Sequence, residues 1–158
     1  MKKYKLTTET LQFAGRTLHR IKAVKDFDSI KAGEFGGWIE NEKNLSQDDN
    51  AWIYGDAMVF DNAEVYDNAE VYGNAAIKGD AKVHDAVDYI VFKNFWSSGR
   101  YFTWTSSNNK WSVGCFYGTG EELIKKAYAD SEKSGREYER VVRYVESILA
   151  DEKKEKSN

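Results

Sequence analysis

The sequence predicts a mainly β fold. It reads as a short left-handed parallel β-helix, preceded by an N-terminal β cap and followed by a C-terminal α+β module with two helices. Three observations carry this prediction. Written in sixes from Asp49, the chain reads DNAWIY, GDAMVF, DNAEVY, DNAEVY, GNAAIK, GDAKVH, ending at His84. The 158 residues contain no proline, so every bend must be built from Gly, Asn, Asp or Ser. Near the C-terminus, Thr119-Gly-Glu-Glu122 and Ser134-Gly-Arg-Glu137 both have the spacing of a capping box, in which hydroxyl and carboxylate satisfy orphan amides at a helix start.

In chain order, residues 1–48 hold the N-terminal strands and a lead-in coil. Tyr4 to Thr7 and Thr17 to Val24 have strand composition and meet through Gly15-Arg16. Phe35, Trp38, Ile39 and Leu45 surround Gly33, Gly36 and Gly37 in the coil. Residues 49–88 are the repeat. Its third place is always Ala (Ala51, Ala57, Ala63, Ala69, Ala75, Ala81) and its fifth always Val or Ile (Ile53, Val59, Val65, Val71, Ile77, Val83). Residues two apart on a strand share a face. The first two places, Gly or Asp then Asn or Asp, tolerate left-handed backbone or bond their own backbone, so each hexad is a short strand and a bend.

One hexad cannot bury its own Ala/Val face. Coiling three hexads into a turn of about 18 residues, and stacking the turns, buries it. That register places Tyr54 over Tyr72, Tyr66 near His84, Glu64 beside Lys82 and Val65 on Val83. An antiparallel meander is the alternative, but it has no need of a constant alanine. The exposed strand edges of so short a stack must be capped by the flanks or joined to another chain.

Residues 89–150 form the C-terminal module. Tyr89 to Phe92, Tyr101 to Thr105 and Trp111 to Tyr117 read as strands, the last two joined by the turn SSNNK. Helices are expected near 120–133 and 135–150. The second carries Tyr138, Val141, Val142, Val145, Ile148 and Leu149 at 3,4 spacing, a stripe that serves core packing or a seam between copies of the chain. Residues 151–158, DEKKEKSN, are expected to be a disordered tail.

Charge and composition exclude several classes. A formal charge of -3 gives no whole-chain field toward nucleic acid or an anionic bilayer. Residues 49–88 carry nine acids and two bases, a charge of -7, while 1–48 and 89–158 each carry +2. An acidic wall repels phosphate backbones, so direct DNA or RNA binding is not expected. Corner residues alone account for these acids; the sharper reading is a negative surface offered to a basic partner protein through Glu64, Asp67 and Glu70. With Cys115 as the only cysteine, an intrachain disulfide is excluded and a cysteine-rich zinc site would need several chains. The N-terminus lacks the apolar run of a signal peptide and no stretch of about 18 apolar residues occurs, so a cytosolic protein with no membrane partner is expected. Nothing in the sequence asks for a cofactor or a metal.

Ligand chemistry concentrates in the aromatic segment after the repeat. Trp96, Arg100, Tyr101, Trp104 and Trp111 combine planar faces with a guanidinium fork, the pair of features that stacks a base and holds a phosphate. A small core under the helices is the competing reading, with Phe102, Val113 and Cys115 pointing in and Tyr101, Thr103, Trp111 and Tyr117 pointing out. No catalytic residue is assigned. Cys115 reads as a small buried hydrophobe, and Gly118-Thr-Gly120 is explained by capping.

The pairs Val59 with Ala63 and Val65 with Ala69 resemble the hexapeptide-repeat family, where an aliphatic residue fills the interior and a small residue four places later lets the corner close. That resemblance implies acyltransferase activity, with a histidine general base beside a cleft between subunits. It also includes a zinc arrangement that needs three histidines. This chain has only His19, outside the repeat, and His84, at an outward sixth place. A second resemblance rests on KYKLTTET, GRTLHRIKAVKDF, KAGEFGGWIE and NLSQ, and covers residues 1–84. These passages are similar to small accessory proteins of temperate phages and prophages. This resemblance implies a phage accessory context and no particular reaction. In that context a chain without a catalytic constellation, and with strand edges to cover, is expected to be a non-enzymatic, homo-oligomeric binding protein of the host bacterial cytosol that antagonises host antiviral defence. It would do so by sequestering a nucleotide-like small molecule or by blocking a host defence protein. The alternatives are an acyltransferase-like enzyme and a structural, virion-associated protein.

Overall fold

The computed structural model describes residues 1–157. The chain opens with a hairpin, β1 (Tyr4–Phe13) and β2 (Arg16–Ala23), turned at Ala14 and Gly15, both in left-handed backbone. Strand β3 (Phe35–Ile39) pairs antiparallel with β2. Two-residue strands follow, one per hexad: β4 (Trp52–Ile53), β5 (Met58–Val59), β6 (Glu64–Val65), β7 (Glu70–Val71), β8 (Ala76–Ile77) and β9 (Lys82–Val83). They pair in parallel, Trp52 with Glu70, Met58 with Ala76 and Glu64 with Lys82, each 18 residues on.

The expected left-handed parallel β-helix is corrected here. The strands divide into four separate sheets: a mixed one in the order β1-β2-β3-β5-β8, an antiparallel one of four strands, and two parallel pairs, β4-β7 and β6-β9. No solenoid runs through the described residues; the protein is mainly β with C-terminal helices. The physical reason lies in the length of the repeat. Each side of the hexad region is revisited once, so each sheet closes at two short strands, and one of those pairs is absorbed through β3 into the antiparallel hairpin.

Within that arrangement the third-place alanines and fifth-place Val or Ile are all buried, forming one core with Tyr4, Ile21, Ile39, Leu45 and Trp52. The bend falls at the first place of the second to sixth hexads. Gly55, Asp61, Asp67, Gly73 and Gly79 all have φ between 57° and 65°, and Asp is among the few non-glycine residues that accept this conformation.

The C-terminal module is an antiparallel sheet, β10 (Tyr89–Lys93), β11 (Tyr101–Thr105), β12 (Lys110–Val113) and β13 (Phe116–Gly118), covered by α1 (Gly120–Asp130) and α2 (Glu132–Ser157). Phe102, Trp104, Trp111 and Val113 pack against Leu123, Ile124, Tyr138, Val142 and Val145. The stripe of the last helix is therefore core packing at Tyr138, Val142 and Val145.

Thr119 caps α1 with the expected box: its hydroxyl accepts from the Glu122 amide at 3.2 Å, and Glu122 Oε1 accepts from the Thr119 amide at 3.0 Å. Three expectations in this module are corrected. Ser134 lies inside α2, whose first amides are served instead by Ser131, with Ser134 N–H donating to Ser131 Oγ at 3.1 Å. The tail expected over 151–158 continues α2 through Ser157, while Asn158 lies outside the described residues. Cys115 is exposed, because Gly114 (φ 55°) turns the chain and splits the expected Trp111–Tyr117 strand in two.

The sheet face opposite the helices docks on the hexad wall. Ala76 N–H donates to Thr103 Oγ1 (3.0 Å), Lys78 Nζ to the Gly114 carbonyl (3.1 Å), and Asn108 Nδ2 to Asp80 Oδ1 (2.8 Å). No helix among the described residues is long and apolar enough to cross a membrane.

Candidate functional site

Two clefts hold the side chains with chemistry. The first lies between the β1–β2 hairpin tip, the hexad wall and the C-terminal sheet. Its volume is about 550 Å³, and Met58, Asn74 and Ala76 face Arg100, Tyr101, Ser112, Phe116 and Lys126 across it.

Alternation along the strands decides which of the sequence-predicted ligand residues reach this cleft. Arg100 and Tyr101 do; Trp96, Trp104 and Trp111 do not. Trp111 is 1 % exposed and sits two residues from Val113, on the same helix-facing side, so the expectation that it points outward is corrected by the strand period itself. Trp104 is its direct cross-strand partner and donates through Nε1 to Asn109 Oδ1 at 2.8 Å. Trp96 stands edge-on to Tyr138, with ring centroids 4.9 Å apart. These three tryptophans build the core under the helices and leave Arg100 and Tyr101 as the exposed remainder of the predicted set.

The second cleft, of about 600 Å³, runs along the outer corner of the hexad region and is lined by Asp49, Asp67, Glu70, Tyr72, His84, Asp85 and Tyr89. Of the acids predicted to meet a partner, Asp67 and Glu70 line it. Glu64 lies on another side of the hexad region, 3.8 Å from Lys82. The three predicted partner residues therefore do not form one patch.

His84 is the residue that sequence reasoning set aside. Its ring stacks on Tyr66 at 5.4 Å, and its Nε2 lies 3.4 Å from Asp88 Oδ2. The same oxygen accepts the backbone N–H groups of His84 (2.9 Å) and Asp85 (3.0 Å), which fixes the carboxylate beneath the imidazole. Nδ1 has no protein partner among the described residues. The i,i+4 spacing of His84 and Asp88 just past the last hexad was the available signal.

Nearby, Tyr72 donates to the Glu70 carboxylate, and this bond holds the Tyr72 hydroxyl well above its ordinary range. Burial raises Tyr89, whose hydroxyl donates to the Glu70 carbonyl at 2.9 Å. Both phenols are therefore neutral donors at neutral pH. No group of three or more His, Cys, Asp or Glu side chains among the described residues is arranged to hold a metal ion.

No family model matches the chain. The chain is 39 % identical over 62 residues to an uncharacterized acetyltransferase of Escherichia coli K12, YdcK. The similarity covers 34 % of this chain but only 19 % of that protein, so the chain matches about a fifth of its relative's length. The match contains no link to phage proteins or to host defence.

Proposed function

We propose that the chain supports acyl transfer to a cationic amine, with the acceptor held in the acidic cleft and His84 as general base. The observation that carries this is the His84–Asp88 pair at the edge of a cleft that also presents Asp49, Asp67, Glu70 and Asp85. Clustered carboxylates concentrate an ammonium ion, and a histidine oriented by a fixed carboxylate can take up the proton the amine must lose. With Nε2 facing Asp88, Nδ1 is the free base. In the reaction His84 takes one proton from the ammonium and passes it to solvent, the neutral amine nitrogen attacks the thioester carbonyl, the C–S bond breaks, and the leaving thiolate takes up the second proton lost from nitrogen to depart as the thiol. The partial similarity to an acetyltransferase supports the reaction class. The acidic walls do not suit the phosphates of an acyl-coenzyme A, so this cleft accounts for the acceptor and the base only.

The test is thiol release from acetyl-coenzyme A in the presence of a series of primary amines and a polyamine, for the natural sequence and for His84→Ala. Amine-dependent release that falls by about a hundredfold or more in the variant is the expected result, the range for loss of a general base. Release that is absent, or equal in both proteins, would overturn the reading and favour a purely binding role.

A further inference from the structure

The first cleft is opposite in character to the acidic one and shares no lining residue with it. Its two cations come from different elements. Arg100 precedes β11 and Lys126 lies on α1, and neither forms an ion pair or a side-chain hydrogen bond among the described residues. By contrast, Arg16, Arg20, Arg140 and Arg143 all pair with carboxylates. The Arg100 guanidinium rests on Gly114, where an added Cβ would lie 2.8 Å from Nη1, so the left-handed turn that separates β12 from β13 also makes room for the fork.

Ser112 supplies the independent observation. It is 5 % exposed, lines this cleft, and its Oγ has no hydrogen-bond partner. Its cross-strand neighbours on the same face are engaged: Thr103 Oγ1 accepts from Ala76, and the Tyr117 hydroxyl bonds Asn108 and Asp80. A buried hydroxyl left unpaired costs free energy that a ligand atom would recover. Tyr101 and Phe116 add aromatic surface, and Asp56 is the one carboxylate on the lining, opposite the cations. A volume of about 550 Å³ is that of a small-molecule site.

We infer that this cleft binds a small phosphate ester carrying a planar ring, the size of a mononucleotide, with Arg100 and Lys126 on the phosphate, Ser112 Oγ on a polar atom of the ligand, and the ring against Tyr101 and Phe116. A guanidinium fork matches phosphate oxygens in pairs, which a lone lysine cannot do. Two sources share this chemistry, a free nucleotide and the phosphorylated adenosine end of coenzyme A.

The test titrates the full chain with AMP, coenzyme A, adenosine and inorganic phosphate, following binding by calorimetry and by amide shifts. Saturable binding of AMP or coenzyme A is expected, with shifts at Ser112 to Phe116 and none at His84. Tighter binding of one of the two identifies the source. Arg100→Ala, at an exposed position, should keep its circular dichroism spectrum and bind about tenfold or more weakly, the range for one charge-assisted bond. The inference is overturned if neither AMP nor coenzyme A saturates the protein, if adenosine binds as well as AMP, or if Arg100→Ala binds unchanged. It stands or falls apart from the thiol-release result, because His84→Ala leaves this cleft intact.

Discussion

Gly37→Ala tests the junction between the hairpin and the hexads. An added Cβ at Gly37 would lie 2.5 Å from the Ala57 carbonyl oxygen and 2.5 Å from Ile53 Cγ2, where ordinary contact begins near 3.4 Å. One of the two elements must therefore retreat by roughly 0.9 Å. The Ala57 oxygen also accepts the Trp38 N–H at 3.0 Å, and the first strand pairing, Trp38 with Met58, depends on that approach. Overpacking costs about 1 to 3 kcal/mol and the lost hydrogen bond about 1 more, offset by about 0.4 to 1 from the less flexible unfolded chain. A net loss of about 2 kcal/mol corresponds to a fall of about 4 to 8 °C in Tm for a chain of this length. Gly55→Ala is the control: φ is 57° but nothing lies within 4 Å, so only backbone strain of about 1 to 2 kcal/mol applies. Urea denaturation of both variants with a common m-value gives the comparison. If Gly55→Ala is the more damaging of the two, close packing at Gly37 does not hold the junction.

Two further perturbations probe the N-terminal plug and the helix start. Lys3 is 1 % exposed, donates to the carbonyls of Asp49 (2.9 Å) and Ala51 (2.7 Å), and burial pulls its ammonium from 10.5 down to about 8. Between those values the unfolded chain binds the extra proton, so stability attributable to Lys3 rises with pH above 8; below 8 both states are protonated and the contribution is flat. Tyr4, raised by its own burial, opposes the trend above its ordinary value of 10, so the window is pH 8 to 10. The rise should become shallower in Lys3→Met, the remainder belonging to Lys78, whose ammonium is also lowered by burial; denaturant midpoints at each pH measure it, and an unchanged slope would remove Lys3 as a source. Thr119→Ala should cost about 1 kcal/mol through loss of the cap, while Ser134→Ala, inside α2, should stay within about 0.5 kcal/mol; equal losses would contradict the assigned helix starts.

Legibility in the sequence followed the strength of local rules. The 18-residue spacing of the hexad strands, the hairpin about Gly15 and the strand Tyr101–Thr105 were legible because period and turn chemistry act over a few residues. The sheet grouping was not, because it depends on β3 docking on β5 by an approach that only Gly36 and Gly37 permit. At the candidate sites the limit was similar. Arg100 and Tyr101 were found by chemistry, but the tryptophans beside them were taken for the same site because composition counts aromatic residues without assigning them to a face. His84 was passed over because its partner, Asp88, lies beyond the last hexad, in a 3-10 turn over Ala86–Asp88 that the hexad pattern does not foresee.

The opposite characters of the two clefts follow from which segment closes each one. The hexad region brings carboxylates to its corners, since Asp serves there as a bend residue, and a cleft walled by that region and its immediate continuation is acidic by construction. At the first cleft the same wall contributes Met58, Asn74, Ala76 and only one acid, Asp56, and the facing module brings Arg100 and Lys126. The polar face of β11 to β13 is committed to docking at Thr103 and Tyr117 but leaves Ser112 unpaired between them. An anionic ligand at that point completes the interface between the hexad wall and the C-terminal sheet, so occupancy of the cleft and the stability of that docking are linked: a ligand bound there raises the stability of the folded chain by mass action.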